Sequence, residues 1–346
     1  MYIAENSDTR PQHNLAFEEY LCLRALRDGE GVFMLWRNEP SIIVGRFQNT
    51  LEEIDSDFVR EHGIHVVRRN SGGGAVYHDL GNVNYSFISL DDGERGNEKF
   101  GDFAAFTEPV ITALASMGVR AEMSGRNDLA ACGKKISGGA QFRRSDPASG
   151  RSVTMHHGTL LFDADLDVLS RALRPPKEKF ESKAVKSVRG RVGNIISLLP
   201  SPIAVEEFMA SLSGSVRTRL GLVPLAIDEA GRAEVGKLQS EKYSSWEWNY
   251  GSSPRFTERK RARFPWGSIE AFLVVDGGKI TDCSFRGDFF SPDGDAGISK
   301  MRSRLLGRSY SGHDMADALS GLDAGSVFAG SNADDLLMLL SPGSQA

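Results

Sequence analysis

Apolar residues recur at Leu15, Phe17, Tyr20, Leu21, Leu23 and Leu26 in "NLAFEEYLCLRAL". That spacing is close to the helical period and predicts a helix with one buried face. The period then shortens. "GVFMLWR" and "SIIVGRF" are brief apolar runs broken by "NEP", and they read as two strands. "GIHVVRR" is β-branched and strand-like, so the three glycines after it leave a strand; "AVYHD", the turn "LGN" and "VNYSFISL" predict further strands. Phe106, Val110, Leu114 and Met117 form a helix face ended by Gly118 at a C-cap position, with Pro109 marking its first turn or a kink. "NDLAACGKKISGGAQF" reads as strand, tight turn at Gly133 and strand; "HHGTLLF" is another strand, and "DADLDVLSRAL" a helix capped by Asp163 or Asp165. From Arg174 to Arg191 the chain turns basic, and between Gly236 and Ser245 the pattern weakens, which predicts a linker. Beyond it, "DGG" between alternating runs predicts a hairpin, and "SKMRSRLLG" and "ADDLLMLL" predict helices. No internal repeat occurs. The expected class is α+β in both of two domains, residues 1–236 and 245–346.

Composition narrows the class without choosing a function. The 346 residues are 40% hydrophobic and 25% charged, which is ordinary for a folded soluble chain of about two domains. A net charge of -5 argues against a general nucleic-acid binder. Cys22, Cys132 and Cys283 are odd in number and far apart, as in a reducing compartment without a disulfide framework. No apolar run reaches the roughly 18 residues of a membrane span, and the first residues lack a signal or transit pattern. The expectation is a cytoplasmic protein that binds neither membrane nor nucleic acid.

"RRNSGGGAVYHDLGN", residues 68–82, is the most unusual stretch. Its spacing fails the dinucleotide fingerprint, the P-loop and the nucleophile elbow. Two physical readings remain. The triplet is a bulge at a strand bend with Arg68 and Arg69 solvated, or it is a bare backbone wall on which a ligand lies while amide groups and Arg69 meet a phosphate. Strand alternation puts Arg68 and Arg69 on opposite faces. "GKKISGGAQ" supplies a second glycine pair, Gly138 and Gly139, beside Lys134 and Lys135. Two glycine walls with a lysine between them favour the ligand reading, because a held ammonium is suited to neutralising phosphate or carboxylate. His156 and His157 are adjacent on a strand, face opposite sides and cannot share one metal, so both read as structural.

Taken together, "RRNSGGGAVYHDLGN", "SGRNDL", "GKKISGGAQ", "HHGTLL" and "KSVRGRVGN" resemble lipoate–protein ligase A, as do "NLAFEEYL", "LWRN", "SSWEWNYG" and "RFPWG". The resemblance spans nearly the whole chain. It implies a large catalytic domain related to biotin–protein ligases and class II aminoacyl-tRNA synthetases, with a small α+β C-terminal domain. It implies that lipoate and ATP, with Mg²⁺ on the phosphates, give lipoyl-AMP. The lipoyl group then passes to a lysine on the lipoyl domains of 2-oxoacid dehydrogenase acyltransferase subunits or on the glycine cleavage H protein. The catalytic lysine of the motif falls on Lys135. Nucleotide and acyl-adenylate contacts fall on Arg69, Ser71, Gly72, Gly73, Gly74, Ala75, Val76, Tyr77 and Gly138, and the aromatic flanking the lipoyl pocket on Trp36. Asn127 and Asp128 are candidates for Mg²⁺ and phosphate, or equally for a strand-start cap. Lys183 falls near the centre of a basic segment that closes over the adenylate. A monomer is expected.

The chain departs from the family pattern at Gly139, where many ligases have Ser, and "GAQ" also occurs in relatives that pass octanoyl or lipoyl groups between carriers through a cysteine thioester. Cys132 is the candidate nucleophile for that rival reading, although such transferases usually lack a C-terminal domain. A lipoyltransferase that needs ready-made lipoyl-nucleotide, a biotin ligase (whose G-R-G-R-x-G signature is missing) and a non-enzymatic acyl-binding protein complete the alternatives. Preference between lipoate and octanoate is not legible.

Overall fold

Alternating and continuous apolar runs become fourteen strands among the residues that the computed structural model describes, which are 1–91, 100–173, 190–251, 257–276 and 278–342. In chain order they are β1 (Tyr2–Ala4), β2 (Val32–Arg37), β3 (Ser41–Val44), β4 (His65–Arg68), β5 (Val76–His78), β6 (Asn82–Asp91) and β7 (Glu122–Ser124). There follow β8 (Asp128–Ala131), β9 (Lys134–Asp146), β10 (Arg151–Leu161), β11 (Val223–Leu225), β12 (Glu258–Phe264), β13 (Gly267–Asp276) and β14 (Lys279–Gly287). One eight-stranded sheet has the order β11-β1-β2-β6-β10-β9-β8-β7, and a three-stranded sheet β4-β3-β5 stands beside it. A third sheet, β12-β13-β14, belongs to the C-terminal region. The class is α+β, as expected.

Each face of the large sheet is covered by helices. Helix α1 (Pro11–Asp28) buries Leu15, Phe17, Leu21 and Leu26 against Met34, Trp36 and Met155. Helices α2 (Phe103–Ser116) and α3 (Val205–Leu220) cover the other face through Val110, Leu114, Phe208 and Leu212 on Phe33, Tyr85 and Leu160. Pro109 lies in the second turn of α2, because Asp102 caps that helix earlier than the apolar spacing suggests. Asp165 rather than Asp163 caps the helix Leu166–Ala172, accepting from the amides of Asp167 and Val168. Cys132 and Gly133 both have positive φ, 49° and 74°, and form the two-residue β8–β9 turn that brings Ala131 opposite Lys134.

The segment Gly236–Ser245 differs from the linker read in the sequence. It completes helix α4 (Glu229–Leu238) and continues as a wide helical turn at Gln239–Tyr243. Polar contacts hold that turn on α1, which an apolar pattern does not reveal: Lys242 Nζ lies 2.6 Å and Tyr243 Oη 2.7 Å from Glu19 Oε2. The next residues, "WEWN", clamp Arg68. Its guanidinium donates to the carbonyls of Gly45, Gln48 and Trp248 and to Thr50 Oγ1, at 2.7–2.9 Å. The Arg68 amide also donates to Asn249 Oδ1. Arg68 is therefore a buried staple, not a solvated side chain. Lys183 and most of the basic run from Lys177 to Arg191 lie outside the described residues.

The C-terminal sheet packs with the following helices around Phe285, Phe289 and Phe328, and Phe47 of the N-terminal region joins that core. Phe47 stacks on Phe289 with ring centroids 4.7 Å apart. Near this contact Glu53 faces Asp288, Glu52 and Glu270, and burial pushes its carboxyl up to about 7.

Two outcomes follow from these contacts. Arg68→Met strands several buried carbonyls and should lower unfolding free energy by about 3 kcal/mol, measured by urea denaturation. An unchanged midpoint would show that the carbonyls find other partners. The folded-state pKa of Glu53 lies above its unfolded value near 4.5, so its protonated form is favoured on folding, and stability is lost as pH rises from about 4.5 through about 7. Glu53→Gln should accordingly raise the melting temperature at pH 8 and leave it nearly unchanged at pH 4.5. An equal rise at both values would assign the effect to packing.

Candidate active site

A cavity of about 180 Å³ lies where the small sheet, the large sheet and α1 meet. Ile43 and Val76 line it from the small sheet, Trp36, Asn84 and His157 from the large one, and Leu15 from α1. Gly73, Gly74 and Ala75 form one wall, and Gly138, Gly139 and Ala140 form another, with Asn127 and Lys135 beside the second. The two glycine segments, distant in sequence, are brought together by the topology.

The glycine triplet is both a bulge and a wall, and its members have different reasons. A Cβ on Gly72 would lie 2.2 Å from the carbonyl oxygen of Phe289, so the C-terminal region approaches the backbone there. Gly73 has φ +89°, a conformation that a side chain disfavours, and its amide donates to the Phe289 carbonyl at 3.3 Å. Gly74 is exposed, and a Cβ there would meet nothing within 4 Å. Only this position leaves bare room along the cavity.

Arg69 is turned into the loop. Its Nε donates to Ser71 Oγ at 2.9 Å, Nη1 to the Ile43 carbonyl at 3.0 Å, and Nη2 to the carbonyls of Gly72 and Gly74 at 2.7 and 2.8 Å. Four of its five N–H groups are thus committed to protein acceptors. Burial lowers the guanidinium to about 10, with Glu18 opposing the shift, so it stays charged at neutral pH. The sequence reading aimed this charge at a phosphate; in the folded chain Arg69 lines the cavity and its hydrogen bonds shape the glycine wall.

From Arg69 a relay of hydrogen bonds runs under the cavity floor. Arg69 Nε donates to Ser71 Oγ, which leaves the Ser71 hydroxyl hydrogen for His157 Nε2, 2.7 Å away. His157 Nδ1–H then donates to Glu18 Oε1 at 3.0 Å. Glu18 also accepts from Ser86 Oγ at 2.5 Å, and Ser86 accepts from Trp36 Nε1 at 2.9 Å. Trp36 is therefore held by the same buried carboxylate that balances Arg69. His157, read as structural from the sequence, lines the cavity, while His156 faces the opposite side and stacks on Phe106 at 5.1 Å.

At the cationic end, Lys135 Nζ lies 2.8 Å from Asp128 Oδ1. Asp128 pairs with Gly138 across the β8–β9 ladder, and Asn127 Nδ2 donates to the Gly139 carbonyl at 2.7 Å. After the basic segment the chain returns beside this lysine: the Gly193 amide donates to the Lys135 carbonyl at 3.0 Å. Ser71, Gly72, Tyr77 and Asp128 do not line the cavity. Alternation along β5 turns Tyr77 into the core beneath the small sheet, with Ile42 and Phe58. Cys132 sits exposed at the β8–β9 turn and is not among the lining residues either. His78, Asn84, Thr159 and Phe290 do line it, and the sequence reading did not single them out. His78 was legible only as the inward position of a three-residue strand, and Phe290 comes from the C-terminal region with no motif of its own.

Similarity to known proteins identifies the family of the chain. Residues 10–217 match the family described as "Lipoyl protein ligase A/B catalytic domain", and residues 253–340 match "Bacterial lipoate protein ligase C-terminus". The chain is 43% identical to Lipoate-protein ligase LplJ of Bacillus subtilis over 98% of its own length and 99% of that protein. It is 38% identical to Lipoate–protein ligase 1 of Staphylococcus aureus over 98% and 99%. Among solved structures, P. falciparum LipL1 in complex with lipoate superposes with a TM-score of 0.76 at 25% identity, covering 97% of this chain and 96% of that one. A lipoate–protein ligase A bound with ATP gives 0.61 at 27% identity over 72% and 98%. The bipartite ligase of Thermoplasma acidophilum, described with its E2 lipoyl domain, gives 0.63 at 29% over 74% and 98%. With both regions matched and full-length relatives well above 30% identity, this chain belongs to the lipoate–protein ligase family and is an enzyme of that kind.

Proposed function

We propose that the protein joins lipoate to ATP as lipoyl-AMP and then transfers the lipoyl group to a lysine of a lipoyl-domain protein. The observation that carries this reading is one cavity with an apolar, glycine-walled interior and a single ammonium, Lys135, among its lining residues. An apolar chain with a terminal carboxylate suits such a slot. The carboxylate lies toward the lysine, because the remaining walls offer it no charge except the committed Arg69.

In the first step a lipoate carboxylate oxygen attacks the α-phosphorus of ATP, a P–O bond forms and pyrophosphate leaves. Bringing two anions together is opposed by repulsion, and Lys135 supplies fixed positive charge where they meet. At about 4 Å and an effective dielectric of ~20, one such charge is worth roughly 4 kcal/mol, on the order of a thousandfold in rate. Asp128 holds the ammonium in position before nucleotide arrives. In the second step the acceptor lysine amine attacks the acyl carbon, an amide forms and AMP leaves.

Mg²⁺ would be carried mainly by the ATP phosphates, which needs few protein carboxylates, and Asn127 and Asp128 are the residues assigned to it. The bound ion would neutralise phosphate charge. Gly74, Ala75, Val76 and Gly138 are assigned to the acyl-adenylate contact, and Lys183 to the segment that covers it. We assign catalysis to residues 1–236 and an accessory role to 245–346, which lends Phe290 to the cavity wall. Acceptors are lipoyl domains of 2-oxoacid dehydrogenase acyltransferase subunits and the glycine cleavage H protein. Among the described residues no helix is long and apolar enough to cross a membrane, and we place the enzyme in the cytoplasm as a monomer.

Lipoate-dependent ATP–pyrophosphate exchange tests the reading, since a carrier-to-carrier transferase would show none. Lys135→Ala should lower the exchange rate by roughly a thousandfold with an unchanged melting temperature; near-normal exchange would remove Lys135 from the chemistry. Cys132→Ser should keep most of its activity, because Cys132 is an exposed turn residue away from the cavity. Mass spectrometry of enzyme and acceptor checks this. A lipoyl thioester on the wild-type enzyme, missing in an inactive Cys132→Ser variant, would install the thioester mechanism instead.

A further inference from the structure

His78 lines the cavity and meets the Trp36 ring edge-on at 5.9 Å. It is 3% exposed. Its Nδ1 lies 3.1 Å from Asn38 Nδ2 and 3.5 Å from Asn84 Nδ2. Both amides are oriented from behind. Asn14 Nδ2 donates to Asn38 Oδ1 at 2.8 Å, and Asn82 Nδ2 donates to Asn84 Oδ1 at 2.9 Å. Asn14 is set in turn by Asn6, whose Nδ2 donates to Asn14 Oδ1 at 2.8 Å. Each amide therefore presents its NH₂ group to the ring, so Nδ1 accepts and the single hydrogen of the neutral imidazole sits on Nε2. Burial, with Arg69 and His157 nearby, lowers the ring to about 3, which keeps it neutral. Nε2 is buried and has no hydrogen-bond partner among the described residues. An asparagine chain thus fixes one tautomer, and the product is an N–H donor without an acceptor at the wall of the cavity.

We propose that His78 Nε2–H donates to a sulfur of the dithiolane ring and so selects lipoate over a saturated acid of similar length. The inference rests on the reading that this cavity holds the acyl chain. A ring sulfur is a weak acceptor, yet the donor already stands unpaired in the ligand-free chain, so a sulfur brought against it gains a hydrogen bond that a hydrocarbon cannot supply. Octanoate reaches the same depth with methylene and methyl groups, which accept nothing. The enzyme therefore favours lipoate through a neutral donor, the Arg69 guanidinium nearby being committed to Ser71 and to backbone carbonyls.

The test is calorimetric binding of lipoate, octanoate and 5-cyclopentylpentanoate to the whole enzyme, with lipoate-dependent ATP–pyrophosphate exchange measured in parallel. The cyclopentyl acid keeps the ring shape and removes both sulfurs. The wild type should bind lipoate roughly tenfold more tightly than the carbocycle, the size of one net hydrogen bond. His78→Phe should bring that ratio close to one, and His78→Gln, which retains an N–H near the Nε2 position, should restore much of it. Equal affinities for the two ring acids in the wild type would overturn the proposal. So would a folded His78→Phe variant that keeps the ratio, or one that weakens all three acids equally, which would place the donor on the carboxylate. Should His78→Phe not fold, the wild-type ratio together with His78→Gln decides the question. Exchange without a sulfur preference defeats this proposal and leaves the ligase reading standing; a sulfur preference without exchange does the reverse.

Discussion

Burial of the Arg69 guanidinium is the constraint on which the cavity depends. A buried charge is tolerated only when its hydrogen bonds are met and its charge is balanced. The chain meets the first demand by curling the loop back, so that the carbonyls of Ile43, Gly72 and Gly74 converge on one side chain. That curl requires the positive φ of Gly73 and leaves Gly74 facing open space. Balance comes from Glu18 through Ser71 and His157, and the same carboxylate positions Trp36 through Ser86. One buried charge pair linked through a relay thus orders both the glycine loop and Trp36. No single member can be exchanged for an apolar residue without orphaning its neighbours, which makes the network costly to alter in parts.

The C-terminal region completes the wall, and what holds it there can be decided by magnitude. Arg46 pairs with Asp295 and Arg259 with Glu52 across the contact. Exposed pairs of this kind contribute about 0–1 kcal/mol each. The stack of Phe47 on Phe289 and the burial of Phe290 against Phe103, 5.9 Å between centroids, remove large apolar surfaces from water and dominate. Arg126 lies over the Phe290 ring at 4.6 Å and donates to the Trp266 carbonyl at 3.0 Å. Phe290 is therefore a cavity residue because of packing between regions, and the Phe289 backbone is a support for the glycine loop. Any displacement of the C-terminal region would release Gly73 and open the cavity together.

The cavity brings together groups of different charge state. Lys135, with Asp128 behind it, carries a charge that remains partly in water, whereas His78 is held neutral by burial and its asparagine partners. Under the proposed function the carboxylate of the acid is drawn to Lys135 and its apolar tail lies along the rest of the cavity. Binding and orientation of the reacting carboxylate are then the same event, which is how positioning lowers a barrier between two bound reactants.

Local pattern was enough for the elements whose physics is local. The periodicity of α1, the Gly133 turn and the β13–β14 hairpin are visible because helical spacing and turn chemistry act over a few residues. Two glycine segments with adjacent basic residues pointed to a shared site, and Lys135, Trp36, Gly74 and Gly138 do line one cavity. The direction of a long side chain was not legible. Arg68 read as solvent- or ligand-facing, and it finds carbonyls of distant loops; Arg69 meets the carbonyls of Ile43 and of its own glycine loop. The Gly236–Ser245 segment looked like a linker because polar contacts to Glu19 hold it, and such contacts leave no periodic trace. The tautomer of His78 depends on Asn14 and Asn38, both far from it in sequence. Sequence alone determines where the backbone must bend and where apolar faces lie, because those follow from neighbours along the chain. Which polar atoms meet is decided only when the folded chain brings donors and acceptors within about 3 Å.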